Sequence, residues 1–172
     1  LWIRLDSSGP VFYRQLRIGR HGVPFSIFKF RTMAAAGVGG PELTVGRDAR
    51  ITRAGRFLRH YKIDELPQLI NVVQGSMSLV GPRPEVPRYV ACYPAPLRDI
   101  VLSVAPGITD WASIHYKDEN AILGLAADPE QAYVDTILPV KLEYYARYVR
   151  ERSFWVDLRI ICSTLTAIVR RP

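Results

Sequence analysis

Asp64 and Glu65 are adjacent carboxylates at the point where a basic segment gives way to an apolar one, in Ile63-Asp64-Glu65-Leu66-Pro67-Gln68-Leu69. Carboxylates can attack an electrophile or hold a hard cation. They can also serve the local backbone alone. Leu66, Leu69, Ile70 and Val73 fall at i, i+3, i+4 and i+7, the spacing of a half-buried helix. Pro67 fits that helix only in its first turn, whose N–H groups have no intrahelical partner. The spacing therefore predicts Asp64 at or near the N-cap and Glu65 in the first turn, where free N–H groups and the dipole favour anions. On this heptapeptide alone, capping and chemistry both stay open.

Cations accompany the pair at three places. Lys29 and Arg31 alternate with Phe28, Phe30 and Thr32 along an expected strand, which places the two cations on one face about 6.6 Å apart. They form either a solvated strand face or a pair that faces a diphosphate. Arg83 stands between Pro82 and Pro84, which hold the backbone near extended or polyproline geometry. Such a mount costs little further entropy when the guanidinium grips a phosphate or carboxylate with two bonds. A structural turn with an exposed Arg is the alternative. Arg53, Arg56 and His60 share one face of a helically spaced segment, with Phe57 and Leu58 off it.

The elements that must position these groups are legible in outline. Val11 to Gln15 and Phe25 to Thr32, joined through Ile18-Gly19-Arg20-His21-Gly22, predict a β-hairpin. Ala34 to Pro41 is small and Gly-rich and reads as a mobile loop. The basic helix and the Asp64 helix follow, the latter ended by Gly75-Ser76. Prolines interrupt a helix expected within Glu85–Asp99, Pro106-Gly107 marks a turn, and residues 108–114 read as a short strand or loop. Ala121 to Gln131 is read as a connector. Pro139–Arg152 predicts a helix with Leu142, Tyr145 and Val149 on one face. Ser153 caps a last helix reaching Val169, too apolar for an ordinary surface helix and too charged to span a membrane, hence either interfacial or core.

With 172 residues, 48% of them hydrophobic, the chain can bury one core, and a single domain over 1–172 is expected. A net charge of +7 implies an anionic partner: nucleic acid, anionic lipid or a phosphorylated substrate. Cys92 and Cys162 form no CxxC and are expected as reduced thiols in a cytosolic setting. The scattered histidines offer no zinc-ligand spacing. No stretch reaches the roughly 18 to 20 uninterrupted apolar residues of a spanning helix. Leu1-Trp2-Ile3 reads like the end of an apolar run, so residues are expected before position 1.

Gly-Pro-Val-Phe-Tyr-Arg-Gln (9–15), Phe-Lys-Phe-Arg-Thr-Met (28–33), Asp-Glu-Leu-Pro-Gln-Leu-Ile-Asn-Val (64–72), Ser-Leu-Val-Gly-Pro-Arg-Pro-Glu (78–85) and Pro-Gly-Ile-Thr (106–109) occur in that order. The series resembles the bacterial monotopic phosphoglycosyl transferases, the bacterial sugar transferase family, over nearly the whole chain. The resemblance implies a small α+β domain, mainly helical with a β-hairpin near the N-terminus, associated with a membrane surface. It implies transfer of sugar-1-phosphate from a UDP-sugar donor to undecaprenyl phosphate, a polyprenyl phosphate acceptor, with release of UMP. By position, Asp64 is then the nucleophile, Glu65 helps hold Mg²⁺, and Lys29, Arg31, Arg59 and Arg83 bind phosphate.

That chemistry agrees with the residues. A diphosphate repels an unassisted carboxylate, so attack on phosphorus needs cations and a positioned metal. Mg²⁺ is expected to use one or two carboxylates plus substrate phosphates. Three departures stand out. The family's N-terminal re-entrant membrane helix has no counterpart beyond Leu1-Trp2-Ile3. Asp110 and Ile114-His115-Tyr116-Lys117 replace a Gly and a Val-Asn-Gly-Arg-like stretch, keeping a substrate-binding cation as Lys117 without a bidentate grip. Tyr145 stands where an Asp is often found. The expected place of action is the cytoplasmic face of the bacterial inner membrane, where UDP-sugars and anionic headgroups both occur. A basic module that binds nucleic acid or anionic lipid without catalysis is the rival reading, but it gives Asp64 and Glu65 no work, and no nucleic-acid partner is expected.

Overall fold

The computed structural model describes residues 1–34, 48–116 and 119–170. Beyond Ala34, the small Gly-rich stretch to Pro41 lies outside the described residues, as does Lys117. A short helix, α1 (Trp2–Asp6), precedes the expected hairpin of β1 (Phe12–Ile18) and β2 (Pro24–Phe30). The strands pair antiparallel, Tyr13 opposite Lys29 and Arg14 opposite Phe28. Arg31 lies one residue beyond β2, and its N–H still bonds the Val11 carbonyl across the hairpin at 2.9 Å.

Helix α2 (Arg53–His60) is capped twice. Thr52 Oγ1 accepts from the Gly55 N–H at 3.0 Å, and the Asp6 carboxylate accepts from the Ala54 N–H at 2.7 Å. That second bond holds the Asp6 carboxyl below its usual range. Trp2 packs on Phe57, ring centroids 5.5 Å apart. Gly55 lies directly on the backbone of Thr32, where any Cβ would collide with the Thr32 carbonyl oxygen. This close approach carries the C-terminal end of α2, with Arg59, onto the end of β2.

The next segment departs from its pattern. Lys62 takes a left-handed conformation, φ 57°, a cost of about 1–2 kcal/mol for a residue with a side chain. Ile63–Glu65 forms one 3₁₀ turn, and α3 (Gln68–Val73) starts after Pro67. Asp64 is therefore not an N-cap. Leu66, Leu69, Ile70 and Val73 are exposed, while Asp64, Glu65, Gln68 and Asn71 are buried, so the apolar face points outward. β2 supplies the reason. The Asn71 Oδ1 accepts from the Phe28 N–H, and its Nδ2 donates to the Ser26 carbonyl, both at 3.0 Å. Those edge groups of β2 need partners, and only the polar stripe of the segment supplies them. Gly75, at φ 77°, then ends α3 as expected, letting the Ser76 N–H return to the Asn71 carbonyl at 3.0 Å.

β3 (Ser78–Val80) leads through Pro82-Arg83-Pro84 to α4 (Pro87–Ala91) and α5 (Ala95–Val101), the two pieces of the proline-broken region. Gly107, expected in a turn, instead opens β4 (Gly107–Thr109), which pairs parallel with β3. Gly81 and Gly107 touch so closely that a Cβ on Gly107 would meet the Gly81 backbone. Asp110 caps α6 (Trp111–His115), accepting from the Ser113 N–H at 2.9 Å. The stretch read as a connector carries parts of α7 (Glu119–Leu123) and α8 (Pro129–Ala132). A π-helical turn over Tyr133–Ile137 runs into α9 (Leu138–Glu151), and α10 (Phe154–Val169) follows, capped by Ser153 as expected.

The core forms around α9, whose Leu138, Leu142 and Tyr145 pack with Tyr89 and Val90 of α4 and Val101 of α5. A second cluster of Val80, Tyr148 and Ile160 ties β3 to α9 and α10. Only Ile160 of α10 is buried, and Trp155 is 74% exposed, so α10 is not a core helix. Among the described residues, no helix is long and apolar enough to cross a membrane.

Candidate active site

Glu65 is the hub at which the hairpin, the 3₁₀ turn and the Pro82–Pro84 segment meet. Lys29 Nζ of β2 donates to Glu65 Oε1 at 3.1 Å, and Arg83 Nη1 donates to Oε2 at 3.2 Å while its Nη2 bonds Oε1. The Arg83 grip is thus bidentate, onto a protein carboxylate. Burial by itself raises the Glu65 carboxyl, but Arg83, Lys29 and Lys62 outweigh it and hold the group well below the usual range. Burial pulls the Lys29 ammonium down against the opposing pull of Glu65.

Asp64 is held differently. It is 8% exposed, and its Oδ1 has no hydrogen-bond partner. Burial pushes its carboxyl up, and the Glu65 charge adds to this; Lys29, Lys62 and Arg59 oppose them. Two neighbouring carboxylates thus have their pKa values pushed apart by environment, Glu65 as a fixed anion and Asp64 as the more basic one. A desolvated carboxylate with a free oxygen is the better nucleophile of the two.

The segment that carries Arg83 is anchored from behind. Tyr133 donates to Glu85 Oε1 at 2.6 Å, Arg17 reaches Glu85 Oε2 at 3.4 Å, and the Ile18 N–H bonds the Glu85 carbonyl at 3.0 Å. Lys141 donates to Glu119 at 2.9 Å and to the Tyr133 hydroxyl at 3.3 Å. Asp110, which is buried, adds a negative charge that Arg83 feels after that of Glu65.

Lys29, Asp64, Glu65 and Arg83 are therefore brought together. Arg59 donates to Thr32 Oγ1 at 2.8 Å and acts electrostatically on Asp64. Arg31 has a different set of contacts. Its Nη2 donates to the carbonyls of Ile3 at 3.1 Å and Ser7 at 2.6 Å, against Gly9, and this clamps the N-terminal segment to the hairpin. The structure does not bring Arg31 to the carboxylate pair. Lys117 lies outside the described residues. Sequence reasoning missed Lys62, whose charge acts on both carboxylates, because no pattern marks a left-handed Lys.

Among the described residues, no group of three or more His, Cys, Asp or Glu side chains could hold a metal ion. A Mg²⁺ ion needs less, one or two carboxylates with substrate phosphates completing its shell. Asp64 Oδ1 is free, and Glu65 Oε2 accepts a single bond, so each carboxylate keeps acceptor capacity for a hard ion. The donor set fits.

One family model and three relatives match the chain. The family model described as bacterial sugar transferase matches residues 1–171. The chain is 35% identical over 170 residues to a UDP-N-acetylgalactosamine-undecaprenyl-phosphate N-acetylgalactosaminephosphotransferase of Aeromonas hydrophila, covering 97% of this chain and 37% of the relative. It is 36% identical over 172 residues to a UDP-glucose:undecaprenyl-phosphate glucose-1-phosphate transferase of Xanthomonas campestris pv. campestris, covering 97% and 33%. It is 38% identical over 167 residues to the uncharacterized sugar transferase EpsL of Bacillus subtilis (strain 168), covering 97% and 74%. The chain thus spans about a third of the length of the first two relatives. With a family match over essentially its whole length, this chain belongs to the bacterial sugar transferase family.

Proposed function

We propose that the chain transfers sugar-1-phosphate from a UDP-sugar to undecaprenyl phosphate by two displacements at one phosphorus, and so starts assembly of a glycan. In the first, the Asp64 carboxylate attacks the phosphorus bonded to the sugar oxygen. An O–P bond forms to Asp64, the P–O bond to UMP breaks, and UMP leaves with that electron pair. In the second, a phosphate oxygen of the acceptor attacks the aspartyl-phosphosugar, forming the diphosphate and returning Asp64 as a carboxylate. The sugar–oxygen bond is untouched throughout.

The observation that carries this reading is the unpartnered Oδ1 of Asp64 inside a basic enclosure of Lys29, Lys62 and Arg59. The printed names of the Aeromonas and Xanthomonas relatives support the donor and acceptor classes. Glu65 holds Lys29 and Arg83 beside the attacking oxygen, where they meet the charge that builds on the phosphoryl group. Mg²⁺, held by Glu65 together with substrate phosphates, would neutralise diphosphate charge when bound.

The chain works at a membrane surface, on the cytoplasmic face of the bacterial inner membrane. Leu66, Leu69, Ile70 and Val73 are exposed beside the carboxylates, Leu79 is exposed on β3, and Phe154, Trp155, Leu158, Leu165 and Val169 are exposed on α10. β3 packs against both α3 and α10, so these apolar residues flank one strand, as a surface for a lipid acceptor requires. The test is release of UMP from UDP-glucose or UDP-N-acetylgalactosamine with Mg²⁺ and undecaprenyl phosphate. Wild type should release it, and Asp64→Asn should lose several powers of ten of that rate. An Asp64→Asn protein that kept more than about a tenth of the wild-type rate would sink the assignment.

A further inference from the structure

Gln68 is 1% exposed, and its Nε2 has no hydrogen-bond partner. Buried polar groups are ordinarily paired, so an orphaned amide calls for a reason. Its neighbours on the same buried stripe provide a contrast. Asn71, one turn further along and 2% exposed, is saturated: it accepts from the Phe28 N–H and donates to the Ser26 carbonyl and to Ser76 Oγ at 3.3 Å. That is how an amide with a structural role is treated in this fold. Asp64, one turn before Gln68, has an oxygen that is likewise without a partner. Asp64 and Gln68 thus each carry a buried polar atom without a partner, four residues apart in the chain, and no hydrogen bond joins them.

We propose that Gln68 is a catalytic residue whose Nε2–H donates to a non-bridging oxygen of the phosphoryl group that Asp64 receives, in both displacements. This rests on the reaction proposed above. Gln68 gives up no proton and forms no covalent bond. It supplies a fixed donor where charge develops. A neutral amide suits the position. Lys29, Lys62 and Arg59 already act on the Asp64 carboxylate, and an amide adds a donor without adding a further cation. Lys29 and Arg83 also bond Glu65, whereas the Gln68 Nε2 has no other partner.

The test is Gln68→Met, which keeps length and unbranched shape and removes the donor. It is read by single-turnover UMP release from UDP-glucose or UDP-N-acetylgalactosamine, with the melting temperature measured alongside. The expected result is a loss of about a hundredfold in rate, with donor KM changed by less than about twofold and a melting temperature equal to or above wild type. Removing a buried donor that has no partner relieves a desolvation cost, so a stability gain paired with a rate loss separates this role from a structural one. A rate within about twofold of wild type overturns the proposal. So does a rate loss in which both Gln68→Met and Gln68→Leu melt several degrees lower, since Gln68 would then be structural. If wild type itself releases no UMP, the reaction falls and this role with it, and the wild-type control identifies that case before any variant is read.

Discussion

Glu65→Gln keeps the shape of the hub and removes its charge, leaving Lys29 and Arg83 facing each other across a neutral amide. Breaking a buried ion pair by removing one partner costs about 3–5 kcal/mol. The Lys29 and Arg83 side chains keep 19% and 26% of their exposure, and the new amide oxygen still accepts one bond. The loss is therefore about 2–3 kcal/mol. For a chain of 172 residues this lowers the melting temperature by about 4–12 °C, as calorimetry would read it. The pH dependence follows from the direction of the shift. Because the Glu65 carboxyl is held well below its ordinary 4.5, its stabilisation is present above that unfolded value and is lost as pH falls through the lower folded value. The gap between wild type and Glu65→Gln should therefore be full near neutrality and shrink only in acid. Residual activity should also need more Mg²⁺, since one hard oxygen charge is gone. A variant that melts within about 1 °C of wild type at neutral pH would refute the hub reasoning.

The other expectations are independent of that one. Asp64→Asn should melt at or above the wild-type temperature, because it removes a buried charge; a lower value would mean that Asp64 stabilises the fold. Burial raises the Asp64 carboxyl above its ordinary 3.8, so the wild-type rate should climb with pH through a value above 3.8 and level off, and a rate independent of pH across the acid range would contradict a carboxylate nucleophile. Arg31→Met should lower the melting temperature by several degrees through loss of its bonds to Ile3 and Ser7. Unchanged stability with a raised donor KM would return Arg31 to phosphate binding. Vesicles containing anionic lipid should cosediment the chain reversibly and less at high salt, at about 1 kcal/mol per basic residue near the surface; no binding at low salt would remove the membrane-surface reading for these residues.

Local patterns carried much of the fold. The hairpin, the Gly75 stop, the Ser153 cap and the helix from Leu138 to Glu151 follow from alternation, glycine chemistry and helical spacing, which act within a few residues. The face of the 63–73 segment did not follow. Its apolar spacing predicts burial of Leu66, Leu69, Ile70 and Val73, yet the edge of β2 some forty residues earlier in the chain needs the Asn71 amide, and a long-range demand of that kind leaves no local trace. The site divided in the same way. Asp64, Glu65, Lys29 and Arg83 were identifiable by residue type and resemblance, and the structure gathers them. Arg31 instead bonds the N-terminal carbonyls of Ile3 and Ser7, and the left-handed Lys62 that precedes the Ile63–Glu65 turn has no sequence signature.

The central claim is that Asp64 becomes covalently attached to the sugar phosphate. Intact-mass and peptide mass spectrometry after incubation with UDP-glucose or UDP-N-acetylgalactosamine and Mg²⁺, with no lipid acceptor present, tests it directly. The account predicts UMP release up to about one equivalent per chain and then a stop. The protein should gain the mass of one sugar phosphate, the modified peptide should carry it on Asp64, and adding undecaprenyl phosphate should discharge it. Turnover that needs the acceptor from the first cycle with no adduct on wild type, or an adduct that persists in Asp64→Asn, would contradict it.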